Sequence, residues 1–133
     1  MIIPKLKGID FVGNPEKQTN FNVRATAYIS EENDKGADCF HFQVISLEFL
    51  ARFLSENNVF DGRATFNVSE FDLDLLELEI NKILKDCIRP TWDEVAKAIN
   101  RYLRWEYDNI QYFSSEEVQR RVDLSQKRLQ SPN

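Results

Sequence analysis

The alternation of apolar and polar residues between positions 21 and 30 constrains the fold more than any other feature of the sequence. Apolar residues occupy every second position, namely Phe21, Val23, Ala25, Ala27 and Ile29. Between them stand Asn22, Arg24, Thr26, Tyr28 and Ser30. A period of two places the two sets on opposite sides of a strand. The pattern therefore predicts a strand with one buried face and one face that is largely in contact with water.

Other segments in the first half of the chain also have the composition of strands. They are Leu6–Phe11, Cys39–Ile45 and Ala64–Val68, which are rich in aromatic and β-branched residues. The polar turn Glu31–Asp38 joins the alternating strand to the strand that begins at Cys39. Because this turn is short, the two long strands are expected to form an antiparallel hairpin.

The second half of the chain has the spacing of helices. Ser46 can cap a short helix that ends near Ser55, and a longer helix is predicted over Asp72–Asp86. Thr91 with Glu94 forms a capping box, which starts a helix that we expect to continue to about Trp105. A second capping box, Ser114 with Glu117, predicts a final helix.

Strands first and helices second indicate an α+β fold. We expect a four-stranded, mainly antiparallel sheet with helices packed on one face and a helix-rich C-terminal half. A length of 133 residues predicts one domain. Residues 1–113 would form its body, and residues 114–133 a C-terminal helix and a frayed tail of the same domain.

The charge of the chain limits its partners. Lys and Arg number 17 against 22 Asp and Glu, a net charge of −5. Nucleic acid is a poor direct partner because its phosphates would repel the molecule, whereas a basic protein is a better match. No segment has the features of a secretory signal or of a membrane helix of about 20 apolar residues. We therefore expect a cytoplasmic protein with no membrane partner.

The sequence contains few residues from which catalytic or metal centres are built. Its single histidine, His41, has no neighbour at a metal-ligand spacing and is interpreted as structural or exposed. Cys39 and Cys87 are interpreted as reduced thiols, although a disulfide between them stays open. We expect no enzyme activity, no metal and no cofactor. A small carboxylate-based enzyme that uses a divalent cation remains an alternative.

An acidic segment precedes and enters the helix predicted from Asp72. Its acids are Glu70, Asp72, Asp74, Glu77 and Glu79, with no basic residue among them. Acids in the first turn stabilise the positive end of a helix, which accounts for Asp72 and Asp74. Glu77 and Glu79 lie beyond that turn. The segment is therefore either a solvated face or a surface for a partner.

Aromatic residues cluster near the predicted end of the helix that starts at Thr91. The run Tyr102–Tyr107 contains Trp105 followed by Glu106, and Trp92 stands at the start of the same predicted helix. Large aromatic residues in this position pack in a core or, together with Arg, form the centre of a binding interface. The sequence leaves both interpretations open.

Several local patterns follow one another in an order that is typical of one family. They are Phe42–Leu50, Arg63–Val68, Pro90–Val95 and Tyr102–Tyr107, of which Trp105–Glu106 is the most characteristic. Over about Leu6–Tyr112 the chain resembles the immunity protein 8 family of bacterial polymorphic toxin systems. The tail from Ser114 onwards has no counterpart in this resemblance.

The resemblance implies an immunity protein that binds the C-terminal domain of a cognate toxin and blocks it without turnover. Such a protein stays in the cytoplasm and acts on toxins from sibling cells, often in contact-dependent inhibition. Combined with the charge, it suggests a basic toxin domain, for example a nuclease, and an inhibitor that is a monomer or weak dimer. The residues expected to bind the toxin are Asp72, Asp74, Glu77, Glu79, Trp105 and Glu106. An adaptor subunit without a toxin partner is the main alternative.

Overall fold

A computed structural model describes residues 1–108 and 115–130 of the chain. The strands are β1 (Pro4–Phe11), β2 (Asn22–Glu31), β3 (Asp38–Ser46), β4 (Thr65–Val68) and β5 (Arg104–Trp105). The α-helices are α1 (Leu47–Asn57), α2 (Leu73–Lys85), α3 (Trp92–Ile99) and α4 (Ser115–Gln130). Strands dominate the first half and helices the second, so the predicted α+β fold is confirmed.

The sheet is mixed, with β2 at its centre between β1 and β3. β2 is antiparallel to both neighbours, as the predicted hairpin requires. The other edge of β3 pairs in parallel with β4, because α1 and the loop after it carry the chain back to a point beside Gln43, midway along β3. β5 pairs antiparallel with the same edge of β3 but nearer the start of that strand, opposite Phe40 and His41. All four predicted strands are present, and β5 is an additional strand that the sequence did not predict.

The main core lies between one face of this sheet and the helices α2 and α3. The alternating apolar residues of β2 all point into it, as their period of two predicts. β3 adds Phe40, Phe42 and Val44, and the two helices add Leu76, Ile80, Leu84, Val95, Ala96 and Ile99. Each fully buried Val, Leu, Ile or Phe side chain contributes about 1.5–3 kcal/mol to folding, so this layer holds the sheet and both helices together.

Helix α1 forms a smaller contact of its own and adds no residue to the main core. The Ser46 hydroxyl accepts a hydrogen bond from the Phe49 backbone N–H at 3.2 Å, which confirms the predicted cap. Phe49 and Phe53 pack against Phe60, with ring centroids 6.2 and 5.2 Å from it. This aromatic cluster holds α1 to the loop that follows it.

The prediction that the helix starting at Thr91 continues to Trp105 was wrong. The Thr91 cap is confirmed, since its hydroxyl accepts from the Glu94 N–H at 3.2 Å, but α3 ends at Ile99. The Asn100 side chain then accepts the backbone N–H of Trp105 at 2.9 Å. This bond closes a turn that directs residues 104 and 105 to the free edge of β3. Pairing with β3 satisfies backbone groups that a longer helix would have satisfied internally.

The C-terminal helix begins at Ser115, one residue after the predicted cap at Ser114. Ser114 itself and residues 131–133 lie outside the described residues, so the predicted cap and frayed tail stay predictions. Within the described part of the chain, no helix has the length and apolar character needed to cross a membrane.

Candidate functional site

Asp72 occupies the N-cap of α2. Its Oδ1 atom accepts hydrogen bonds from the backbone N–H groups of Asp74 at 3.0 Å and Leu75 at 3.4 Å. These groups have no partner inside the helix, so the carboxylate stabilises the helix start. Asp72 is half-buried. Its first role in the structure is therefore to cap α2.

The other predicted acids of α2 lie on its solvent side and flank a pair of leucines. Leu75 and Leu78 are 57% and 56% exposed, one turn apart on the outward surface. Helical spacing places Asp74 and Glu77 on one side of the pair and Glu79 on the other. The Glu79 carboxylate forms an ion pair with the Lys82 ammonium group at 3.0 Å. We call the four residues Asp74, Leu75, Glu77 and Leu78 the α2 outer face.

The side chain of Trp105 makes its contacts within the protein. The indole N–H groups of Trp92 and Trp105 both donate to one carboxylate oxygen, Asp38 Oδ2, at 2.8 and 3.1 Å. Both rings are half-buried and pack against the main core. Asp38 thus joins the start of β3 to α3 and β5. We call Asp38, Trp92 and Trp105 the Asp38 clamp. The ring of Trp105 therefore packs against the core, while its N–H group makes a hydrogen bond that no local sequence pattern indicated.

Glu106 completes the attachment of β5. Its side chain accepts the Cys39 backbone N–H at 3.0 Å, and its own N–H donates to the Cys39 carbonyl at 3.0 Å. Burial, followed by the nearby Glu106 carboxylate, raises the pKa of the Cys39 thiol. Burial also raises the pKa of the Cys87 thiol. Both cysteines are free, and a raised pKa keeps a thiol protonated and weakly nucleophilic.

The predicted binding residues fall into two separate groups. Helix α2 packs against β1, whereas Trp105 and Glu106 lie at the edge of β3. Because β2 lies between β1 and β3, the two groups are separated by three strand positions, or roughly 14 Å. The structure therefore brings the acids of α2 together and places Trp105–Glu106 elsewhere.

A basic surface that no sequence pattern indicated lies on the sheet face opposite the main core. The register places Arg24 beside Gln43, and His41 between Thr26 and Arg104. Residues that pair directly across strands project from the same face. Together with Arg63, which precedes β4, they line an open cavity of about 590 Å³. We call this surface the open sheet face.

The sequence indicated only some of the residues of the open sheet face. The polar positions of the alternating strand predicted a wet face, which Arg24 confirms by its exposure. His41 is exposed as well, and its Nδ1 lies 3.0 Å from the Thr26 hydroxyl, in agreement with the interpretation of a structural or surface residue. Arg63 and Arg104 come from distant parts of the chain. Their convergence follows from the pairing of β4 and β5 with the same edge of β3.

No group of three or more His, Cys, Asp or Glu side chains that could hold a metal ion occurs among residues 1–108 and 115–130. What the described residues do present is contact surface: an apolar pair with acidic flanks on one helix and a basic depression on an open sheet. Exposed apolar side chains with a polar border and charged depressions are features that proteins use for contact with other macromolecules.

A comparison with known protein families identifies the family of this chain. The family model of immunity protein 8 matches residues 5–110, and the chain belongs to this family. It is therefore an immunity protein against a toxin, and proteins of this family are generally not enzymes. Neither a curated protein nor a solved structure gives a match.

Proposed function

We propose that this immunity protein neutralises the C-terminal domain of its toxin by stoichiometric binding in the cytoplasm, and that the α2 outer face is the main contact. The toxin domain is basic. A nuclease is the favoured type, because a groove that binds phosphate would also accept carboxylates. It would be delivered by sibling cells in contact-dependent inhibition. The inhibitor acts without turnover, as a monomer or a weak dimer.

The exposure of Leu75 and Leu78 is the observation that carries this proposal. Each leucine leaves more than half of its surface in water, although the helix beneath them is firmly packed through Leu76, Ile80 and Leu84. Exposed apolar surface with a polar rim is the arrangement found at the centres of protein interfaces. Because α2 is already ordered, a partner gains the burial of both leucines with little loss of conformational entropy.

Charge supports a basic partner. Asp74 and Glu77 are exposed and have no ion pair among the described residues, so their carboxylates are free to meet cations. A groove that binds phosphate would accept these carboxylates as substitutes for it. Complementary charge increases the association rate, and close charge pairs across an interface couple by about 1.5–7 kcal/mol.

A growth experiment tests the function before the interface. The C-terminal domain encoded immediately upstream is expressed with and without this chain. We expect the domain alone to stop growth and co-expression to restore it, with a one-to-one complex on size-exclusion chromatography. Toxicity that persists at matched expression, or a harmless upstream domain, would instead favour an adaptor role.

The interface is tested with substitutions that spare the fold. Leu75→Ala combined with Leu78→Ala should weaken toxin binding about tenfold or more, mostly through faster dissociation. Leu47→Ala is the matched control, because Leu47 is 76% exposed on α1. Equal affinities for the double variant and the control would remove the α2 outer face from the interface.

The acids are tested separately by association kinetics. Asp74→Lys with Glu77→Lys should slow association at low salt and have less effect at high salt, because screening shortens the reach of the charges. Asp72 stays unchanged because it caps α2, and Glu79 because it pairs with Lys82. Glu56→Lys on α1 is the control for charge reversal. An unchanged association rate at low salt would contradict the assignment of Asp74 and Glu77.

Trp105 and Glu106 stay in the proposal as a second contact. Glu106→Gln removes the charge and keeps an acceptor for the Cys39 N–H, so the attachment of β5 survives. Weaker toxin binding by a Glu106→Gln protein of unchanged stability would support a direct contact. Unchanged binding would leave Glu106 and the neighbouring ring of Trp105 with their internal roles.

A further inference from the structure

We infer that the open sheet face is a second binding site, which takes the carboxylate groups of an acidic segment of a partner protein. This inference does not depend on the α2 outer face, because the two surfaces lie on different sides of the sheet. It concerns a basic depression in a protein whose net charge is −5. Three arginines around one cavity can attract and bind a ligand that carries negative charge.

The guanidinium groups around this cavity have unused hydrogen-bonding capacity. Arg24 is exposed and has no ion pair among the described residues. Arg63 lies 3.4 Å from Asp108 and donates a long hydrogen bond of 3.5 Å to the Asn100 carbonyl oxygen. Arg104 lies 3.8 Å from Asp61. Strong charge-assisted bonds are about 2.7–2.9 Å long, so these two pairs are loose. Each guanidinium has five N–H donors in a planar fork that fits a carboxylate in a bidentate manner.

The floor of the cavity is held in place by the sheet. Thr26 and His41 share a hydrogen bond of 3.0 Å, and the Gln43 amide donates to the Thr65 hydroxyl at 2.9 Å. Arg24 projects from β2 and Arg104 from β5, and both strands are hydrogen-bonded to β3. Arg63 is positioned at its backbone, where its N–H donates to Asp61 Oδ1 at 3.1 Å. A site on strands presents its groups at fixed separations, which favours a ligand of matching shape.

The surroundings favour a short acidic segment over a continuous polyanion. Asp10 lies opposite Thr26 on the same face, and Asp61 and Asp108 border the arginines. A nucleic acid backbone carries a phosphate at every step and would meet these carboxylates along its path. A cavity of about 590 Å³ is large enough for a few side chains. One or two Glu or Asp side chains can enter it and avoid the acidic border.

The single histidine of the chain allows a direct test, because His41 lies in the cavity and gives the only imidazole signals in a proton NMR spectrum. The purified full chain is titrated at low salt with a flexible peptide of alternating Glu and Gly, and with a matched peptide in which Gln replaces Glu. A short single-stranded RNA is the third probe. We expect the Glu peptide to shift the His41 signals and the Gln peptide to leave them unchanged.

Variants locate the site. Arg24→Glu should reduce the affinity for the Glu peptide by about tenfold or more, as expected when a charged hydrogen-bonding partner is lost. Lys35→Glu changes the net charge equally in an exposed turn away from the cavity and should have a much smaller effect. Arg24→Gln, which removes only the positive charge, guards against a folding defect and should lie between the two.

Clear results would overturn the inference. They are the absence of a His41 shift with the Glu peptide, equal shifts with the Gln peptide, or equal losses in Arg24→Glu and Lys35→Glu. Tighter binding of the RNA with the larger His41 shift would assign the face to nucleic acid instead. Toxin binding is not part of this test, so its outcome is separate from that of the growth experiment.

Discussion

Removing the carboxylate of Asp38 should destabilise the protein far more than an ordinary substitution at a half-exposed position. Asp38→Ala leaves the indole N–H groups of Trp92 and Trp105 without their common acceptor. A hydrogen bond to a charged group contributes about 1.5–3 kcal/mol. Because the clamp is half-buried, water can replace part of what is lost. We expect the free energy of unfolding to fall by about 2–4 kcal/mol.

Urea denaturation followed by tryptophan fluorescence is a suitable assay, because both tryptophans of the chain belong to the clamp. Asp38→Asn keeps an acceptor oxygen without the charge and should cost less than Asp38→Ala. Glu77→Ala, an exposed acid on α2, is the control and should stay within about 0.5 kcal/mol of the unmodified protein.

A double-mutant cycle decides whether the loss comes from the clamp. Trp105→Phe removes one of the two N–H donors and keeps an aromatic ring. The effects of Asp38→Ala and Trp105→Phe should be non-additive by about 0.5 kcal/mol or more, since both remove the same bond. Strict additivity, or an Asp38→Ala protein as stable as the control, would refute the reasoning.

Other predictions concern the start of α2 and a buried thiol. Asp72→Ala should cost about 0.5–2 kcal/mol of stability by urea denaturation, and Asp72→Ser should recover most of it; an effect no larger than that of Asp74→Ala would contradict the capping role. Burial raises the pKa of Cys87 in the folded protein, so the unfolded chain releases this proton first as the pH rises. Stability should therefore be fully retained below about pH 8.5 and decline above it. The decline should be smaller in Cys87→Ala, and identical pH profiles would show that Cys87 does not contribute.

The local patterns of the sequence were sufficient where the structure depends on near neighbours. The period of two in β2 fixed which side chains enter the core. The caps at Ser46 and Thr91 were predictable because each hydroxyl bonds an N–H three residues ahead. The acidic charge and the family pattern also came from the sequence alone, and the family comparison confirmed the immunity protein 8 assignment.

The fate of Trp105 was decided by tertiary structure. Helical spacing from Trp92 to Trp105 was consistent with one long helix, yet Tyr102 is 47% exposed and the chain turns after Ile99. A free edge on β3 and a carboxylate at Asp38 offered bonds to residues 104 and 105 that no neighbour in sequence could offer. Contacts across more than 60 residues leave no periodic trace in the chain.

In the open sheet face, too, the sequence determined one part and the tertiary structure the other. The sequence determined that Arg24 would lie on the wet side of its strand, because alternation alone sets that side. It did not determine that Arg63 and Arg104 would join it around one cavity, since this depends on β4 and β5 sharing an edge of β3. Periodicity thus decided which way each side chain points, and strand pairing decided which side chains meet.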